Sequence, residues 1–423
     1  GAGGVDLANR SVTFHPDGSG RYVVTVDEAP ELPFAPGAEL ADPPDDGSIR
    51  LSPPWAGGFR FFGEPKTGFH VNTNGNLTFD GGDADWREST GEHFARERIA
   101  VLFDDFDPTT GGSIRYRHVP GDRAAVTFEN LPEWGTSNAS TFQVELFDDG
   151  SDRIRMTFLD LAAADGIVGL SDGGGEPAGF SGAGVDFTAD YAPSPVVSLA
   201  VLDGAASEWN ADTDEAHLRV ENAHPFPLPL SVPLEYGGTA SPADDLQKAP
   251  SSVGIPAGAT GADLVLAAVL DAEVEGPESL EIVLAGSGGF PRLGSTASAS
   301  VLIEDRPADR WAFVRFGGAT TGTADGEDFD GDGVSNLVEY ALGMDPTRAD
   351  SPRLPDPSEE NGFLFLPYEP DPRRTDVRVT GESSTDLERW NPDDVIRGED
   401  GFRTPLEDGG KYLRLRVERK TDG

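Results

Sequence analysis

Glycine and proline interrupt this chain so often that no long helix can be drawn through it, with 53 glycines and 34 prolines spread over 423 residues. Each glycine eases a turn and each proline withholds a backbone donor. The pattern therefore selects short strands joined by many turns, a mainly β fold. A chain of this length makes about three domains. It has no cysteine, so disulfides cannot hold it, and no apolar run reaches the roughly 18 residues of a membrane-spanning helix. The formal charge of −43, from 75 acidic against 32 basic residues, excludes nucleic acid and an anionic membrane as natural partners and invites cations. Its only lysines are Lys66, Lys248, Lys411 and Lys420, a composition that also suits life in salty water. Gly1-Ala-Gly-Gly reads as a mature end left by removal of a signal peptide, which predicts a secreted, extracellular or cell-surface protein.

The acidity has one ordered stretch. Asp328-Phe-Asp330-Gly-Asp332-Gly333-Val334-Ser-Asn336-Leu-Val-Glu339 places oxygen donors at positions 1, 3, 5, 7, 9 and 12 of a twelve-residue loop. This is the ligand spacing of an EF-hand-type calcium loop. Gly333 falls at position 6, where the chain turns sharply. Asp328, Asp330, Asp332, the Val334 carbonyl, Asn336 and Glu339 are the predicted calcium ligands. Pro307 to Phe316 before the loop, with proline at its first position, predicts a short helix. Asn336 to Leu342 after it predicts another, ended by Gly343 and Asp345-Pro346.

Upstream, Ser11 to Phe14 and Arg21 to Val26 flank Pro16-Asp-Gly-Ser-Gly20 as a hairpin. Ala29 to Pro54 reads as a covering loop. Strand-like runs follow: Gly68-Phe-His-Val71-Asn-Thr-Asn-Gly75-Asn-Leu-Thr-Phe79, Arg98 to Phe103 with Asp104, Asp105 and Asp107, Gly112 to Tyr116, Ala124 to Phe128, Thr141 to Gly150, and Gly166 to Leu170. From about 59 to 172 this series resembles the nidogen-like domain of extracellular adhesion proteins. Asp104, Asp105 and Asp107 crowd one strand end, where they either bind a cation or point apart into water. His70 and His93 have no nucleophile motif beside them and read as polar surface.

Residues 195 to 306 resemble a Calx-β domain, a calcium-associated β-sandwich. The resemblance rests on Pro195 to Ala200, Ser207-Glu208, Gly238-Thr-Ala-Ser-Pro-Ala-Asp-Asp245, Ile255-Pro-Ala-Gly258, Leu270-Asp271-Ala-Glu-Val-Glu275-Gly-Pro-Glu278 and Ala299 to Asp305. It implies that Glu208, Asp245, Asp271, Glu275 and Asp305 meet at one end of the sandwich as calcium ligands. Leu270 stands where a further Asp is usual, and Arg306-Pro307 replaces a continued acidic run. That leaves two readings, one calcium ion or none with Arg306 as a built-in cation.

The string around Asp328 is similar to thrombospondin-type-3 and dockerin-like calcium motifs. It is present once, which argues against a cohesin-binding pair. The last 70 or so residues resemble the small β-domain that follows this motif in exported bacterial proteins, with strands at Phe363 to Tyr368, Val377 to Glu382 and Tyr412 to Val417. There Leu413, Leu415 and Val417 alternate with Arg414 and Arg416, giving one buried face and a basic face free to dock on acidic surface.

The expected fold is mainly β: tandem β-sandwich domains with a short helix–calcium loop–helix linker before a small C-terminal β-domain. The expected divisions are 1–190, 191–306, 307–350 and 351–423. No cysteine nucleophile or His-Glu-x-x-His motif occurs, so no enzyme activity is expected. The sequence points to a calcium-stabilised adhesion or structural subunit that assembles with copies of itself into a filament or layer, with Val5 to Val26 adding to a neighbour's sheet edge. Partners on this reading are other copies or a surface protein. The alternative is a non-catalytic accessory region of a secreted hydrolase that binds extracellular polysaccharide through Trp55, Trp86, Trp134 or Trp209.

Overall fold

The computed structural model describes residues 6–163, 165–180, 185–209, 213–271, 273–286, 289–319, 321–349, 354–406 and 410–421. Gly1 to Val5, which hold the expected processed end, lie outside them. The fold is mainly β, and the described residues gather around three hydrophobic cores.

The first core lies between a seven-stranded and a five-stranded sheet. In spatial order the larger sheet is Tyr22–Glu28, Arg10–Pro16, Ile154–Asp160, Ala139–Phe147, Arg123–Pro132, Ser113–Val119 and Ala38–Glu39. The smaller is Ile167–Asp172, Glu97–Phe103, Asn76–Thr78, Phe69–Asn72 and Ser48–Leu51. Inward phenylalanines fill the space, and the Phe128 and Phe142 rings stack with centroids 4.7 Å apart. Such offset pairs add to the burial that dominates sandwich stability.

The N-terminal hairpin belongs to this sandwich. Arg10–Pro16 pairs antiparallel with Ile154–Asp160, and Tyr22–Glu28 forms the sheet edge. That edge is met by the following segment: Val26 N–H donates to the Ala192 carbonyl at 3.0 Å, and Ser194 N–H to Asp27 at 3.1 Å. The expectation that Val5 to Val26 adds to a neighbour's sheet is thereby corrected, because the strand's partner is in its own chain.

Gly75 shows why the Asn-Gly turn is required. Its φ is +72°, and a Cβ there would lie 1.9 Å from the Leu102 carbonyl oxygen. Gly75→Ala must both strain the backbone and push a central strand. The expected loss is about 1–3 kcal/mol, read as a lower denaturant midpoint with an unchanged m-value.

The second core lies between the sheet Gly261–Leu266, Ala216–Asn222, Val196–Asp203, Arg292–Leu293 and the sheet Ala205–Ser207, Ser298–Glu304, Glu278–Leu284, Leu230–Gly238, Ser252–Ile255. Strict alternation builds it. Ala216, Leu218 and Val220 point inward while His217 and Glu221 face solvent.

His15 sits where the two sandwiches meet, 3% exposed, with its ring 4.4 Å from Phe290 and 5.1 Å from Phe226. Its Nε2 shares a hydrogen bond with Thr25 Oγ1, which in turn meets Ser194. Burial first, and the Arg153 guanidinium second, push His15 from 6.5 down to about 3. The unfolded chain therefore binds a proton that the folded chain refuses. Stability is full above about 6.5 and is lost as pH falls toward 3. Between pH 7 and 4 this one group should cost about 3 kcal/mol. His15→Gln should remove that share of the acid slope in urea melts at the two pH values.

The third core includes the two helices of the expected linker. Helices Pro307–Phe316 and Asn336–Leu342 form as the sequence predicts, the second capped by Gly343 with φ +76°. Both pack inward, with Ala308, Tyr340 and Ala341 beside Tyr368, Val377, Val379 and Phe402. Both helices thus bury apolar faces in the core of the C-terminal unit. That unit adds the four-stranded sheet Ser358–Glu360, Phe363–Pro367, Gly401–Pro405, Ile396–Arg397 and the pair Val377–Ser384 with Tyr412–Arg419. The basic face of the last strand meets acidic surface within its own chain. Arg414 and Arg416 bind Glu382 on the adjacent strand at 2.7 and 3.1 Å. Among the described residues no helix is long and apolar enough to cross a membrane.

Candidate functional site

Strand register concentrates carboxylates at one end of the second sandwich. Ala205–Ser207 runs parallel to the end of Ser298–Glu304, with Ser207 opposite Glu304, so the next residues, Glu208 and Asp305, emerge side by side. The antiparallel pairing of Glu278 with Ile303 brings the 271–278 segment to that same end. A bridge between Leu246 and Ala268, together with Val269 N–H donating to the Asp245 carbonyl at 2.9 Å, adds Asp245. An open basin of about 720 Å³ results, lined by Asp244, Asp245, Asp271, Glu273, Glu275 and Glu278.

Within it, Asp245, Glu275 and Glu278 bring ligand oxygens within 4.8 Å of one another. Glu208 is buried at 4% exposure, and its Oε2 has no hydrogen-bond partner. Burial pushes Glu208 up to about 8, and Asp305, Asp271, Asp309 and Glu275 push in the same direction. Glu278 rises to about 7, through burial first and then Asp245. Asp305 and Glu275 are also raised, burial again leading. Each of these groups resists ionising where it stands. A divalent cation would reverse that preference by replacing the lost hydration with direct oxygen coordination.

Arg306 does not supply the balancing charge. Its Nη2 donates to the Lys420 carbonyl at 2.8 Å, its Nε lies 3.6 Å from Asp309, and the guanidinium sits 5.1 Å from the Trp209 ring. It faces the C-terminal unit, so the reading in which it fills the acidic end is corrected. Glu278 is the member that sequence reasoning missed as a ligand. Its signal was present: it follows Gly276-Pro277 and starts a strand, so the acidic turn delivers it to the same end as Glu275.

The Asp328 loop is arranged differently. Asp328, Asp330 and Asp332 converge with oxygens within 4.8 Å. Asp328 accepts from the backbone N–H groups of Gly333 at 2.7 Å and Gly331 at 2.8 Å. These bonds, Gly333 first, hold its carboxyl below the usual range. Gly333 has φ +94°. Val334 is buried, with its N–H on Asp332 at 3.0 Å. The Asn336 amide donates to the Gly322 and Ala324 carbonyls, both at 2.8 Å, and its oxygen accepts from Phe329 N–H at 3.3 Å, within the loop. Glu339 is fully buried on its helix. Of the predicted ligands, the three aspartates converge on the tight turn, and the Asn336 side chain ties the loop to the segment before it.

Of the four tryptophans considered for polysaccharide, Trp209 is buried and Trp55 packs on Phe59 and Phe69. Trp86 and Trp134 stay exposed at 48% and 59%. His93 lies buried on helix Thr90–Phe94, and burial followed by Arg98 pushes it down to about 4, so it is not the polar surface residue expected.

In comparison with known proteins, residues 34–205 match the family described as NIDO related, from the covering loop through strand Val196–Asp203 of the second sandwich. The chain is weakly similar in structure to the apo-form Calx CBD1 domain, at 22% identity and a TM-score of 0.22, covering 26% of this chain and 96% of that one. It is also similar to the calcium binding domain CBD12 of CALX1.1, at 14% identity and a TM-score of 0.24, covering 52% and 78%. A third is the E. coli chaperone DraB, at 10% identity and a TM-score of 0.19, covering 54% and 98%. No match was found among curated proteins.

Proposed function

We propose that this chain is a secreted, non-enzymatic, calcium-stabilised surface protein, an adhesion or structural subunit whose joints are stiffened by bound calcium. The observation that carries the reading is Glu208. It is a buried carboxylate with an unpartnered oxygen, set among Asp305, Asp271 and Glu275. The strand beside it runs through Asp305 and Arg306 directly into helix Pro307–Phe316.

That position makes the acidic end a hinge. Asp305 accepts from Gly276 N–H at 2.8 Å, and Gly276 packs so closely on the Phe313 ring that a Cβ would lie 2.7 Å from it. On the other side Ala308 N–H donates to Asp376 at 2.8 Å, and Arg306 reaches the Lys420 carbonyl. Without a cation, like charges loosen the turn that the helix leans on. With calcium, Glu208, Asp245, Glu275, Glu278 and Asp305 are drawn to one centre, and the second sandwich and the C-terminal unit move as one arm. The Asp328 loop, as a second calcium site, would stiffen the C-terminal unit internally rather than the joint.

Secretion places the protein where calcium is abundant, and a stiff, acidic arm suits surface adhesion or assembly with further copies. Calcium titrated into chelator-treated protein tests both parts. A rise in melting temperature together with particle size by light scattering is the result expected for an assembling subunit. A melting temperature that ignores calcium overturns the stabilisation reading. A particle that stays monomeric at high protein and calcium concentration overturns assembly. The alternative, polysaccharide binding by an accessory region, draws support from the exposure of Trp86 and Trp134. Retention on insoluble polysaccharide, lost in Trp86→Ala and Trp134→Ala, would favour it.

A further inference from the structure

The first sandwich holds an acidic convergence that neither calcium site above uses. Asp104 ends strand Glu97–Phe103, Glu88 precedes the Ser89 cap of helix Thr90–Phe94, and Asp165 lies two residues before strand Ile167–Asp172. Their ligand oxygens come within 4.8 Å of one another. Two oxygens bound to one calcium ion at about 2.3–2.6 Å stand up to roughly 5 Å apart, so the spacing is that of a shared ion.

A second observation is independent of the clustering. Asp104 is only 3% exposed, and its Oδ2 is buried with no hydrogen-bond partner, while its Oδ1 accepts from Asp105 N–H at 2.9 Å. The segment is held from behind by Asn74. The Asn74 carbonyl accepts from Asp104 N–H at 3.4 Å, its side-chain oxygen accepts from Phe106 N–H at 3.0 Å, and its amide donates to Asp46 at 2.9 Å. The buried carboxyl is thus fixed toward Glu88 and Asp165 and cannot swing out to water. Burial, then Glu133, Glu88 and Asp165, push Asp104 up to about 7, and the nearest charged groups acting on it are all acidic.

We propose that Asp104, Glu88 and Asp165 form a divalent-cation site of the calcium type in the first sandwich. Asp104 is the inner ligand. Glu88 is half-buried and Asp165 is exposed, which leaves the outer positions open to water and gives the ion a way in. Hard oxygen donors on separate loops suit the variable geometry of calcium better than the rigid octahedron of magnesium. The ion would tie together three segments that are far apart in the sequence.

The test is calcium stoichiometry by equilibrium dialysis on the full chain. Asp104→Asn and Asp165→Asn should each bind one ion fewer than the parent, or bind that ion at least tenfold more weakly. Asp165→Asn changes an exposed side chain, so its result stands even if Asp104→Asn folds poorly. A variant carrying both Glu208→Gln and Asp328→Asn should keep the site, which separates this proposal from the calcium sites above. Parent-like stoichiometry and affinity in Asp165→Asn and in folded Asp104→Asn would overturn it, and Asp104 would then be a buried protonated acid.

Discussion

Removing divalent ions with a chelator should lower the melting temperature of the second sandwich by roughly 10 °C, and Glu208→Gln should abolish most of that response. An ion present at about 100 times its dissociation constant contributes roughly 2.7 kcal/mol, and a domain of this size shifts by about 4 °C or more per kcal/mol. On the proposed reading Glu208 is the sensitive position, because a cation and a proton would compete for a carboxylate that is 4% exposed and pushed up to about 8. Glutamine keeps the shape, removes the charge and offers calcium a weaker ligand. The variant should therefore match or exceed the parent in chelator and gain little when calcium is restored. Scanning calorimetry of both proteins in both buffers reads the four values. A parent-like calcium gain in Glu208→Gln would remove this carboxylate from the site.

Arg419→Gln should destabilise the C-terminal unit by about 3 kcal/mol, whereas Arg373→Gln should leave its stability close to the parent's. Both arginines make short ion pairs, so burial decides between them. Arg419 sets Nη1 at 2.8 Å from both oxygens of Asp309, which is 1% exposed, and Nε at 2.6 Å from Asp325. It ties the last strand to the first helix and to the approach to the Asp328 loop. Without it the Asp309 charge stays buried, with Arg306 3.6 Å away as its remaining cation. Arg373 pairs with Asp371 while 85% exposed, where water screens the contact. Unfolding followed through Trp311, which packs in this unit's core, should show the separation.

What the sequence disclosed was local. Proline at the start of Pro307–Phe316 and glycine at the end of Asn336–Leu342 marked both helices. Alternation marked Val377–Ser384 and Tyr412–Arg419. The Asp-x-Asp-x-Asp-Gly spacing brought Asp328, Asp330 and Asp332 together because all three lie on one tight turn. What it hid was non-local. The cover of the two helices, Tyr368, Val377 and Phe402, comes later in the chain. The bonds of the Asn336 amide to the Gly322 and Ala324 carbonyls were not legible either, since those partners lie 14 and 12 residues upstream. Nothing local joins Glu88, Asp104 and Asp165, since their meeting depends on how the strands of the first sandwich are ordered. Arg306 was legible as a cation beside acids, but not in the direction it points.

The measurement that bears most directly on the calcium-locked joint is the distance distribution between the second sandwich and the C-terminal unit. The chain has no native cysteine, so spin labels at Ser231→Cys and Ser358→Cys, both exposed strand positions, report that distance alone. The account predicts a broad distribution in chelator that collapses to one narrow peak in calcium, and a distribution that stays broad in both buffers when Glu208→Gln is added. The same narrow peak with and without calcium would contradict it, because the joint would then be rigid through packing alone.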